Sequence, residues 1–232
     1  DYETLKIIWW GLVGILLIGF AATDGYDLGT ATLLPFIART DRERRLVINA
    51  IAPTWEGHQV WLITGGGALF AAWPFVYAIS FSGFYLAMFV VLAALILRPV
   101  GFKYRSKLES PKWRSSWDWA LFVGGAVPAL IFGVALGNVL QGVPFSIDST
   151  LRASYEGGLL GLLNPFGLLA GLVSVAMLVM HGAAYLGTKI EHGTVLDRAI
   201  IVGRWAAIAM IALYAAAGIW LALGVAGFRI DG

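Results

Sequence analysis

Apolar residues along this chain run together in long blocks separated by short charged stretches, rather than alternating with polar ones. Six blocks cover residues 5–36, 48–79, 83–102, 117–140, 160–186 and 199–228. Crossing a hydrocarbon layer of about 30 Å takes a helix of about 20 residues, so each block reads as one span. The first, second and last are longer than a perpendicular crossing needs and should tilt, kink or project. Pro53, Pro74 and Pro128 are tolerable inside such helices because neighbouring helices satisfy the freed backbone groups. The runs at Gly65–Gly67 and Gly124–Gly125 offer flat surfaces for close helix packing. The pattern predicts an all-α, polytopic transmembrane bundle of about six spans, forming a single domain over residues 1–232.

Composition strengthens this reading. Hydrophobic residues make up 59% of 232 and charged ones 13%, with a mean hydropathy of +0.79. A soluble domain of this length could not bury so much apolar surface in one core. The formal net charge of +2 says little about partners, since the charges are segregated into loops. No basic tract interleaved with aromatics points to nucleic acid. The absence of cysteine rules out disulfides and thiolate ligation by these residues. Asp1, Tyr2 and Glu3 precede the first block without a basic flank or small-residue cleavage site, so that block reads as a span rather than a signal peptide.

Loop charges set the orientation. The first loop holds Arg39, Arg42, Arg44 and Arg45, the third Arg105, Lys107, Lys112 and Arg114, and the fifth Lys189 and Arg198. The second loop has no Lys or Arg and the fourth only Arg152. The positive-inside rule therefore places the odd loops in the cytoplasm and the N-terminus in the periplasm. Trp9, Trp10, Trp73, Trp113, Trp117 and Trp119 near block ends suit interfacial belts.

Ionisable groups inside the blocks carry the candidate chemistry, since each costs about 2.5–3.5 kcal/mol at mid-helix. Asp24 and Asp27 stand three residues apart on one helix face. Glu56 and His58 follow Pro53, Arg98 precedes Pro99, and Arg204 lies in the last block. In the deduced topology Asp24, Asp27, Glu56, His58 and Arg98 all reach a similar depth on the cytoplasmic side. Desolvated carboxylates beside a guanidinium can form a proton relay or a buried structural ion pair, and both readings stand for Asp24 and Asp27. Glu56, flanked by Trp55, Gly57 and Trp61, is the sharper candidate for a proton gate. Arg98 could also snorkel to the interface, and His58 reads as a hydrogen-bonded polar residue. His181 beside Met180 invites a haem-ligand reading, but helical neighbours diverge by about 100° and cannot hold one iron from both sides. His192 reads as a solvated loop residue. No phosphate-binding loop, GxSxG or HExxH motif appears.

Several blocks, in order, resemble subunit II of the cytochrome bd quinol oxidases. They are residues 8–29 (IWWGLVGILLIGFAATDGYDLG), 43–74 (ERRLVINAIAPTWEGHQVWLITGGGALFAAWP), 81–107 (FSGFYLAMFVVLAALILRPVGFKYRSK), 117–145 (WDWALFVGGAVPALIFGVALGNVLQGVPF) and 164–175 (NPFGLLAGLVSV). The resemblance implies a subunit of a quinol:oxygen oxidoreductase in the bacterial cytoplasmic membrane, electrogenic without proton pumping. Two haems b and one haem d, with the quinol site, would belong to subunit I. This chain would ligate no cofactor, although some members hold a structural quinone. A small single-helix subunit and membrane lipid complete the implied partners. The resemblance further implies a proton path through the acid of the W-D/E-G motif, here Glu56, with Trp61 alongside. Asp24 and Asp27 match the D-G-x-D pair, and Arg98 matches the arginine of R-P-V-G-F. Glu56 stands where many members carry Asp. The family has eight spans and six are read here, so either the last pair lies beyond Gly232 or this member is shortened; residues 228–232 read as an interrupted loop, which favours the first. A proton-coupled transporter or a structural scaffold are the competing classes. The first would show inverted repeats of broken half-helices, and none is evident. The second would leave every buried acid untitrated.

Overall fold

The computed structural model describes residues 1–150 and 153–225. Helix α1 runs Tyr2–Ile37 and, at 1.5 Å per residue, is about 54 Å long, well beyond one hydrocarbon layer. After a short link, α2 (Asp41–Ile51) opens on a capping box, in which the Thr40 hydroxyl accepts from the Glu43 N–H while the Glu43 carboxylate accepts from the Thr40 N–H. Then follow α3 (Trp55–Ala72), α4 (Pro74–Gly83), α5 (Tyr85–Tyr104) and α6 (Pro111–Gln141). A small antiparallel hairpin of β1 (Phe145–Ile147) and β2 (Ala153–Tyr155) pairs Ser146 with Ser154. The one-turn α7 (Leu159–Leu162), α8 (Pro165–Lys189) and α9 (Thr194–Gly224) complete the described residues.

The segment 48–79, expected as one span, is three helices. Pro53 lacks the N–H that would continue α2, so residues 52–54 form a turn before α3. Trp73 leaves the helical region (φ −136°, ψ 72°), because the ring of Pro74 disfavours helical geometry in the residue before it, and this ends α3. Among the described residues five helices, α1, α5, α6, α8 and α9, are long and apolar enough to cross a membrane. The expected sixth, α3, is not among them, because Glu56, His58 and Gln59 make its first turns polar. The 199–228 block corresponds to α9. Its last three residues, Arg152 of the fourth loop and the 228–232 ending lie outside the described residues.

Helix α1 is packed between α6 and α8, with α3 on a further side. Glycines make these crossings close. A Cβ on Gly29 would stand 1.8 Å from the Leu178 carbonyl oxygen, and one on Gly182 would stand 2.4 Å from the Thr30 nitrogen. On the other flank a Cβ on Gly125 would meet the Leu28 oxygen at 2.6 Å, and Gly133 meets Gly171 in the same manner. The Gly65–Gly67 run behaves differently, since Gly66 and Gly67 have open space around them. One apolar cluster (Leu34, Ile37, Val47, Leu121, Leu186, Leu196) closes the charged-loop end, and a second (Phe20, Leu28, Val91, Leu95, Leu178) fills the middle. Polar side chains are buried alongside both.

Candidate functional site: a buried acid–arginine–histidine cluster

Asp24 and Asp27 both project from α1 into the bundle and are fully buried, as is Arg98 of α5. Arg98 donates two bonds to Asp24, from Nη1 to Oδ2 at 3.1 Å and from Nη2 to Oδ1 at 2.7 Å. This planar, two-pronged pairing is the geometry that best offsets the cost of removing both charges from water. The alternative of Arg98 reaching back to the interface is therefore not taken. The ring of Trp55 lies 5.9 Å from its guanidinium carbon, and Gly124 of α6 gives its stem room.

Asp27 is held differently. Its Oδ2 accepts from His58 Nδ1 at 2.7 Å and lies 3.8 Å from Arg98 Nη2. Its Oδ1 is buried with no hydrogen-bond partner among the described residues. The other nitrogen of His58 meets the Tyr26 hydroxyl at 3.2 Å. In the neutral ring, with Nδ1–H committed to a carboxylate, Nε2 is the acceptor and Tyr26 the donor. Tyr26 stacks on Tyr185 of α8 with ring centres 3.8 Å apart, and Tyr185 donates to the Ala50 carbonyl. The cluster thus joins α1, α3, α5 and α8.

The other expected site residues lie apart. Glu56 is exposed at the start of α3, and no hydrogen bond or ion pair involving its side chain is found among the described residues; Gly57 beside it meets nothing within 4 Å. Two residues along a helix turn the side-chain direction by about 200°, so Glu56 points away from the face that carries His58. Trp61 shares the His58 face but packs against Gly19, eight residues before Asp27 and so about 12 Å along the α1 axis. His181 Nε2 donates to the Ala22 carbonyl at 2.9 Å, and both ring nitrogens of His58 are engaged. Among the described residues no three His, Asp or Glu side chains converge on a metal position.

A second charged cluster ties the loops together. Asp118 of α6 accepts from Arg105 at 2.5 Å and from Arg44 at 2.7 Å, while Asp41 bridges Arg105 and Arg114 at 2.8 Å each. Burial opposes the charge on Arg105, but Asp118 and Asp41 outweigh it and raise its proton affinity. The Asp41 carboxyl, despite some desolvation, is held below its usual range by Arg105 and then Arg114. Glu43 is held down to about 2, first by the backbone N–H groups of Thr40 and Arg39, and also by Thr194 and Arg198 of α9. Asp118 stands inside an apolar block, which is a legible signal of burial. Tyr26 and Tyr185 leave no signal at all, since tyrosines are ordinary in membrane helices.

Fold and site together define a multi-pass, all-α membrane protein with a hydrogen-bonded cluster of ionisable side chains fixed between its helices. The chain belongs to the cytochrome bd terminal oxidase subunit II family, whose model matches residues 5–230. It is 56% identical over 230 residues to cytochrome bd-I ubiquinol oxidase subunit 2 of Escherichia coli K12, covering 99% of this chain and 60% of that protein. It is also 56% identical over 221 residues to the probable cytochrome oxidase subunit 2 of Haemophilus influenzae, covering 95% of this chain and 58% of that one. With cytochrome bd ubiquinol oxidase subunit 2 of Bacillus subtilis it shares 34% identity over 183 residues, 79% of this chain and 53% of the relative. The chain spans less than two thirds of the length of each of these relatives.

Proposed function

We propose that this chain acts as the second subunit of a cytochrome bd-type quinol oxidase of the bacterial cytoplasmic membrane. In that role it assembles with a haem-bearing subunit I and carries part of the proton supply for reducing oxygen to water. The carrying observation is the family match over residues 5–230. The cluster supports the proton role, because buried carboxylates joined to a guanidinium and an imidazole can exchange protons without exposing charge to lipid. Haems b and d, which supply the electron-transfer and oxygen chemistry, belong on this reading to subunit I. A quinone held between these helices, a small single-helix subunit and bound lipid remain part of the same proposal.

Glu56, with Trp61 on the same helix, gathers protons at the cytoplasmic mouth, and Asp27 receives them, while Arg98 is committed to Asp24. The test is the purified complex of both subunits. A reduced-minus-oxidised spectrum with b- and d-type haem bands, and oxygen uptake with a quinol that falls about tenfold or more in Asp27→Asn or Glu56→Gln, are the expected results. Full turnover of both variants at every pH would leave the chain a structural scaffold, and a colourless preparation with no haem-bearing partner would sink the oxidase assignment.

A further inference from the structure

We propose that His58 is the proton-relay residue that loads Asp27, an assignment that rests on the proton-supply reading above. Asp27 has one oxygen bound to His58 Nδ1 and the other buried without a partner among the described residues. The outer nitrogen of the same ring accepts from Tyr26, and the His58 side chain retains 15% of its accessible surface while Asp27 has none. Among the described residues, the imidazole is thus hydrogen-bonded to Asp27 and still reaches the accessible surface. Glu56, the obvious acid, faces away from it on the same helix.

The groups that face the ring are Asp27 and Tyr26 of α1, Arg98 of α5 close to Asp27, and Tyr185 and His181 of α8, which both pack on Tyr26; Glu56 is the nearest acid on its own helix. A proton arriving at Nε2 converts the ring to imidazolium, whose charge Asp27 compensates. The Nδ1 proton then passes to Oδ2 of Asp27, giving a neutral acid and the neutral Nε2–H tautomer. Once Asp27 has passed that proton on, rotation of the ring about Cβ–Cγ turns the bare Nδ1 to the accessible side, where it takes the next proton, and turning back presents Nδ1–H to the carboxylate again. One proton enters and one leaves in each cycle. Arg98, engaged with Asp24, stays 3.8 Å from Oδ2 of Asp27 throughout.

The experiment uses the two-subunit oxidase in proteoliposomes, measuring oxygen uptake with a soluble quinol from pH 5.5 to 9. His58→Asn preserves a donor to Asp27 but cannot carry a proton; turnover should drop about tenfold or more with KM for the quinol unchanged. His58→Gly should recover part of that loss on adding free imidazole. Tyr26→Phe keeps the ring stack and removes the hydroxyl that meets Nε2. It should therefore move the alkaline limb of the rate upward by about half a pH unit or more. Wild-type turnover in His58→Asn, or an unmoved limb in Tyr26→Phe, overturns the assignment. If Asp27→Asn remains slow in the same series, the proton-supply reading survives and only His58 is wrong. If Asp27→Asn and Glu56→Gln are also at wild-type rates, both readings fall.

Discussion

Arg98 and Asp24 are each fully buried and each other's main partner, so neither tolerates removal alone. Asp24→Asn leaves a guanidinium without a full counter-charge where water cannot reach, a loss of about 3–5 kcal/mol. It should appear as a lower Tm of the detergent-solubilised complex, and the double variant Asp24→Asn with Arg98→Gln should recover part of it. Equal destabilisation by single and double variants would show that the pair contributes no mutual stabilisation. Gly29 illustrates a steric constraint of the same severity. A methyl group there collides with the Leu178 backbone rather than with a movable side chain, so Gly29→Ala must push α8 away from α1. About 1–3 kcal/mol or more of overpacking cost is expected, whereas Gly66→Ala, which meets open space, should leave Tm unchanged.

At the scale of elements, α2 is a short amphipathic helix whose start depends on its cap. Thr40→Ala removes one half of the reciprocal capping bonds and should cost about 1 kcal/mol. Glu43 adds a pH dependence of known sign. Its folded carboxyl is depressed to about 2 from an ordinary 4.5, so its contribution is fully present above the unfolded value and is lost as pH falls from about 4.5 toward 2. Thermal unfolding between pH 6 and 3 should therefore flatten in Glu43→Gln relative to the parent chain. An identical slope would show that the caps and Arg198 do not depend on its charge. The same scale explains the split of residues 48–79. Hydropathy is continuous across Pro53 and Pro74, but backbone sterics act locally and break the helix twice.

For the whole molecule, the Arg105 network joins α2 and α5 to the start of α6, while Glu43 joins α2 to α9. Arg105→Gln would leave Asp118 to Arg44 alone and Asp41 to Arg114 alone. Loss of about 3 kcal/mol is expected from exposing a buried carboxylate to incomplete pairing, with earlier protease cleavage in the loop before Pro111 as the reporter. No change in cleavage would mean that Arg44 and Arg114 suffice. The exposed apolar faces, such as Trp205, Ile208, Ile211 and Leu223 on α9, need lipid or a neighbouring subunit to cover them.

What the amino-acid sequence determined by itself was the membrane class, the helical character and three of the buried charges, Asp24, Asp27 and Arg98. Transfer of apolar residues from water is additive along a chain, and an acid inside an apolar block is conspicuous wherever it points. Asp24, Asp27 and Arg98 were legible for that reason, as was their common depth. What only the tertiary structure decided was the pairing: that Arg98 chooses Asp24, that Asp27 falls to His58, and that Glu56 faces away. Those choices depend on the rotation of α1, α3 and α5 about their axes. That rotation is set by where Gly29, Gly125 and Gly182 let backbones touch, a contact between residues up to 153 positions apart that no local pattern encodes.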